Sequence, residues 1–105
     1  MHANRMLTGV LRGRRPVTVT TARDAAGHDE AVVTFDDGSR MTVLLADPGA
    51  APVLPADAGA VRKVRQQDLD LALDLERGGT LAFRTAEETS SVLVRAGDGT
   101  FEYSD

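Results

Sequence analysis

The sequence predicts a small all-β domain, an antiparallel β-sandwich or a partly open barrel of about seven or eight short strands built from hairpins. Two observations carry that prediction. Leu69-Asp70-Leu71-Ala72-Leu73-Asp74-Leu75 alternates strictly, putting four leucines on one face of a strand and small or acidic groups on the other. Glycine-centred turns at Asp37-Gly38-Ser39, Glu76-Arg77-Gly78-Gly79 and Asp98-Gly99 lie between apolar runs, as hairpins require. With 105 residues, 42% of them hydrophobic and 27% charged, the chain has the size and composition of one globular domain over 1–105. A core of that size uses most of the apolar residues for folding.

Taken in chain order, Ala3, Met6, Leu7, Val10 and Leu11 share a helical face, while Thr8-Gly9 argues against a long helix. Val17-Thr18-Val19-Thr20-Thr21 is β-branched throughout and reads as a strand, with Pro16 at its first position or on a sheet edge. A hairpin from Glu30 to Ala46 is expected to set Asp36 against Arg40, Phe35 against Met41 and Val33 against Val43. The Pro/Ala-rich stretch 47–59 holds three of the four prolines and is a loop. For 56–67 both strand and helix stand open: the propensities suit a helix, whereas Val61-Arg62-Lys63-Val64-Arg65 reads as an exposed basic edge strand.

In the second hairpin Leu75 is expected opposite Leu81 and Leu73 opposite Phe83. Asp70, Ala72 and Asp74 then face water with Ala82 and Arg84. Thr85-x-x-Glu88 has the form of a capping box and would open one helical turn. The third hairpin sets Ala96 against Phe101, Arg95 against Glu102 and Val94 against Tyr103. These registers turn all four aromatics, Phe35, Phe83, Phe101 and Tyr103, inward. The first two hairpins also match at a shift of 40 residues. Gly38/Gly78 and Ala46/Ala86 are the only identities in that match, which favours chance resemblance over a duplicated unit.

Charge is unevenly spread. The arginine-rich segment 1–15 leads a stretch, residues 1–23, that holds five arginines and no acid. The other 82 residues carry seven bases and sixteen acids, so +5 is followed by −9 for a net −4. Such a leading segment either lies on its own acidic body or reaches an anionic partner, and Arg12, Arg14 and Arg15 are the candidate anion contacts. With no cysteine there is no disulfide framework or thiolate metal site, and a reducing, cytoplasmic setting is expected. No window reaches the roughly 20 apolar residues of a membrane span, and Met6 to Leu11 is too short for a secretory apolar region.

Catalytic apparatus is sparse. His2 and His28 are the only histidines, and His28-Asp29-Glu30 lacks a second histidine nearby to build a metal site. The serines sit outside any nucleophile elbow, and no phosphate loop occurs. No cofactor is expected, and an enzyme is disfavoured. Aromatics on which bases could stack are not exposed in the expected registers, so nucleic-acid binding is not expected either.

One contrast remains. Hairpin one would carry Val32 opposite Leu44 on its outer face, where hairpin two carries alanine and charge. That apolar pair must be covered, by Val53 and Leu54 of the chain's own loop, by a protein partner or by a second copy. The leading reading is therefore a non-catalytic β domain acting through protein–protein contact, homo-oligomeric or an accessory subunit. The alternatives are anion or nucleic-acid binding by the arginine-rich segment, and an enzyme or enzyme subunit with a small-ligand site in a barrel.

Overall fold

Nine strands and one short helix make up the computed structural model, which describes residues 1–46 and 50–105. They run in the order β1 (His2–Ala3), α1 (Arg5–Leu11), β2 (Pro16–Arg23), β3 (Asp29–Phe35), β4 (Arg40–Leu44), β5 (Val61–Gln67), β6 (Asp70–Leu75), β7 (Thr80–Arg84), β8 (Val92–Arg95) and β9 (Phe101–Ser104). All pairings are antiparallel, in two sheets ordered β1-β5-β6-β7 and β2-β3-β4-β8-β9. The all-β expectation holds, with nine strands in place of seven or eight. Residues 56–67 resolve as loop followed by β5. Of the 47–59 loop, residues 50–59 contain no strand and 47–49 lie outside the described residues.

The first two hairpins differ from expectation by two residues of register. Val33 pairs with Met41 and Glu30 with Leu44; Leu73 pairs with Leu81 and Leu71 with Phe83. The turns explain the difference. The Phe35 N–H donates to the Ser39 carbonyl and Gly38 closes back on Phe35, so three residues, Asp36 to Gly38, suffice to reverse the chain. Gly38 sits at φ 85°, a conformation that suits glycine. A slip of two keeps every side chain on its face, so the expected core survives. Val33, Phe35, Met41, Leu73, Leu81 and Phe83 are all buried in it.

The shift of 40 proves structural rather than accidental. Phe35 pairs with Pro16 as Leu75 pairs with Val61, and Thr34 with Thr18 as Asp74 with Lys63. Both first strands bulge at the next residue, Val17 or Arg62. Leu45 N–H reaches the Asp29 carbonyl as Thr85 N–H reaches Leu69. The two units meet in a reciprocal seam: Ala46 N–H to Arg84 O and Ala86 N–H to Leu44 O, both 2.9 Å, around the bridge Leu45–Thr85. At another corner Gly13 N–H donates to the Val61 carbonyl and Val61 N–H to the Arg14 carbonyl, so the sheets close toward a barrel. Thr85 belongs to this seam, and residues 85–88 form no helix.

The N-terminal segment covers the outer edge of β5. β1 pairs with Arg65 and Gln66, Asn4 N–H donates to Val64 O, and the Thr8 hydroxyl accepts from Val64 N–H at 2.9 Å. Asn4 caps α1 by accepting from Leu7 N–H, and the helix buries Leu7 and Leu11. The expected basic edge strand is therefore not an edge, and Val61 and Val64 are buried.

Asp74 is a second correction. It is 6% exposed rather than solvated, because the Arg65 guanidinium lies across it at 2.7 and 2.8 Å and Thr80 Oγ1 donates at 3.0 Å. The hydrogen bonds from Arg65 hold its carboxyl below the ordinary value, against the opposing effect of burial. A group whose pKa is depressed by folding stabilises above its unfolded pKa and loses that contribution as pH falls through the folded value. Asp74→Asn should therefore cost about 1–2 kcal/mol at neutral pH, with Arg65 partly screened by solvent. Urea unfolding should show the gap to wild type closing on acidification. A gap that is constant with pH would mean that the ion pair is not its source.

Candidate functional site

In the five-stranded sheet, odd residues of β3 and β4 point into the core and even residues point out. The outer face is organised by cross-strand register. Thr20, Val32, Thr42, Leu93 and Ser104 form one row across all five strands. Val32 stands opposite Thr42, and Leu44 opposite Glu30, so the expected Val32–Leu44 pair is not formed. Both are half-buried, on the same face.

Around Leu44 the face hollows into an open groove of about 460 Å³. Its floor includes Thr42, Leu44 and Leu93, and Asp24, Glu30 and Asp105 bring carboxylates to its lining. The Asp24 carboxylate is committed to its own turn, accepting from the Ala26 and His28 backbone N–H groups. The His28 N–H is the main cause of its lowered pKa. Thr42 and Leu93 also line a second trough, of about 340 Å³, which continues toward the hairpin tips past Arg40 and Arg95. The two hollows adjoin at Thr42 and Leu93, with acidic residues lining the first and Arg40 and Arg95 the second.

Val53 and Leu54 line neither hollow. Val53 is 90% exposed, and Leu54 packs against the core. The three candidate arginines do not converge. Arg14 is spent on the body of the protein: its guanidinium binds Glu102 in bidentate fashion at 2.8 and 2.7 Å and lies 3.4 Å from Asp37. That pairing keeps the Glu102 carboxyl below its ordinary pKa. Arg12 Nε donates to the Arg62 carbonyl, and Arg15 donates its backbone N–H to Asp36.

Phe101 corrects the aromatic reading. It is 55% exposed, because a register shift after Val94 pairs Arg95 with Phe101 rather than with Glu102. The juxtaposition of Arg40 with Arg95 was also missed. It depends on β4 pairing with β8, whose partner residues lie 49 to 55 apart in sequence, and local pattern carries no signal of that. Among the described residues no three His, Asp or Glu side chains converge as a metal site, and no helix is long and apolar enough to cross a membrane. No family model matches the chain, and no curated protein or solved structure matches it significantly.

Adjacent leucines test the assignment of faces. Leu45→Ala should cost about 2–5 kcal/mol, since Leu45 is buried in the core. Leu44→Ala should cost about 1 kcal/mol or less if the groove is open to solvent. Equal losses in chemical denaturation would show that the Leu44 face is covered.

Proposed function

We propose that this chain is a non-catalytic β domain that works by protein–protein contact through the outer face of its five-stranded sheet. The observation that carries this reading is the open groove. An apolar floor at Leu44 and Leu93 lies beside Glu30 and Asp105, and none of the residues lining it comes from the 50–59 loop. A face of this kind suits an extended segment that offers an apolar side chain flanked by basic ones. The absence of cysteine suits a reducing compartment, and the cytoplasm is the setting we assign.

The reading is tested by titrating isotope-labelled protein with an unstructured peptide that alternates leucine and arginine. Saturable amide shifts should appear at Glu30, Thr42, Leu44 and Leu93, and Leu44→Ser should weaken them. An alternating leucine–glutamate peptide should produce weaker shifts there. If the basic peptide leaves those amides unmoved, the groove is not the contact surface.

Self-association is the second reading, and the edge of β2 favours it. Asp24 N–H donates to the His28 carbonyl, so the antiparallel alternation turns the N–H and C=O groups of Val19, Thr21 and Arg23 away from β3. Residues 16–22 carry no charge, and an uncharged exposed edge of β-branched residues is a template for another strand. The equivalent edge of β5 is covered by β1 and α1, whereas β2 is the end strand of its sheet. Thr21→Pro removes an N–H that points away from the sheet, so the variant should fold. In analytical ultracentrifugation wild type should sediment as a dimer and the variant as a monomer. A monomeric wild type, or a dimer that survives the substitution, removes the reading.

A further inference from the structure

Cross-strand neighbours on the outer surfaces are mostly compatible. Val32 faces Thr42, Thr42 faces Leu93, and Asp70 faces Arg84 with an ion pair at 3.1 Å. One pair breaks the pattern. Arg40 and Arg95 stand directly opposite each other on β4 and β8, both exposed. Among the described residues neither has a carboxylate within 4.0 Å. Like charges directly opposite destabilise a sheet. Folding does not demand them here, because exposed positions beside hairpin turns accept most polar residues. Functional or strained positions are where local rules are expected to break.

We propose that Arg40 and Arg95 form an oxyanion-binding subsite that takes a carboxylate or a phosphoryl group. The ligand would lie in the trough of about 340 Å³ that these side chains share with Gly38, Gly97 and Gly99. An oxyanion between two guanidinium groups replaces their repulsion with charge-assisted hydrogen bonds. Arg95 Nη1 donates to the Gly99 carbonyl at 3.0 Å, which steadies that side chain and leaves its other N–H groups for the ligand. Of the three glycines on the wall, Gly38 and Gly97 pack against each other across the hairpin tips, and Gly99 leaves open space beside Arg95. Phe101, next to Arg95 on the same face, adds an exposed flat ring at the edge of the site. This subsite goes beyond the peptide-groove reading and does not require it.

The test uses inorganic phosphate and acetate as separate probes, each compared with chloride at matched ionic strength. The readouts are the thermal midpoint and the amide shifts of Arg40, Arg95 and Gly97. Wild type should show a saturable response that Arg40→Gln and Arg95→Gln each weaken about tenfold or more. Arg62→Gln, an exposed arginine on the other sheet, should leave the response unchanged and controls for the general stabilising effect of phosphate. Without an added oxyanion, Arg40→Gln should melt at or above the wild-type temperature, because the repulsion is relieved. A response to phosphate alone identifies a phosphoryl group as the ligand, and a response to both identifies a carboxylate as sufficient. The proposal is overturned by a wild type that responds to neither probe or by equal loss in Arg62→Gln. An Arg40→Gln variant that melts lower than wild type, or fails to fold, overturns it too.

Discussion

The seam around Leu45 and Thr85 decides where each hairpin must end and how the two sheets meet. Ala46 donates to the Arg84 carbonyl and Ala86 to the Leu44 carbonyl, so each unit satisfies the last backbone groups of the other. Both residues of the bridge are buried, and each solves that burial differently. Leu45 fills the core with an apolar side chain. Thr85, at 1% exposure, holds its hydroxyl 2.9 Å from the carbonyls of Leu69 and Glu87. A buried hydroxyl without such partners would carry a desolvation cost, so the turn after β7 is shaped around Thr85. The two sheets meet here because two hairpins with equal registers present matching ends at this point.

Most of the fold was legible because its signals are local. The alternation around Leu71, Leu73 and Leu75 identifies the strand and its core face, though Ala72 and Asp74 on the opposite face are buried as well, and the glycine turns locate three hairpins. Register was less legible. Asp36, Asp37 and Gly38 and their neighbours admit loops that differ by one residue at each end, and only the hydrogen bond from Phe35 to Ser39 chooses among them. Asp74 was misread because its partner is nine residues away on β5, across a tight turn in which Asp68 takes φ 53°. An alternating acid looks solvated until Arg65 is known to lie over it. The candidate site was legible only in part. Leu44 and Val32 were found by contrast between hairpins, but the groove beside Leu44 needs Leu93 from β8, and that pairing is a long-range event.

What breaks the internal repeat sets the two sheets apart. The two three-stranded units are close to equivalent, yet the chain decorates them differently. The N-terminal segment, through β1 and Thr8, occupies the outer edge of β5, while the edge of its counterpart β2 stays bare. The C-terminal hairpin pairs with β4 and widens that sheet to five strands, while β7, the counterpart of β4, ends its sheet. The groove of about 460 Å³ lies on the widened sheet. Charge pairing differs locally as well: on the four-stranded sheet Arg65 and Arg84 pair with Asp74 and Asp70, and on the five-stranded sheet Arg23 pairs with Asp29 while Arg40 and Arg95 face each other.

The bulge after Val94 links these features. Had the third hairpin kept one register from Val94–Tyr103 onward, Arg95 would face Glu102 and be neutralised by it, and Phe101 would turn inward. The register shift instead sets Arg95 against Phe101 and leaves Glu102 to the Arg14 guanidinium at 2.7 Å. One inserted residue thus has two effects. It ties β9 to the chain just before β2 by a bidentate ion pair, and it leaves Arg95 exposed beside Arg40 with an aromatic ring at its side. Bulges re-aim side chains at the cost of an interrupted ladder. Here the interruption supplies an ion pair that braces the C-terminal hairpin and removes the carboxylate that would otherwise have neutralised Arg95.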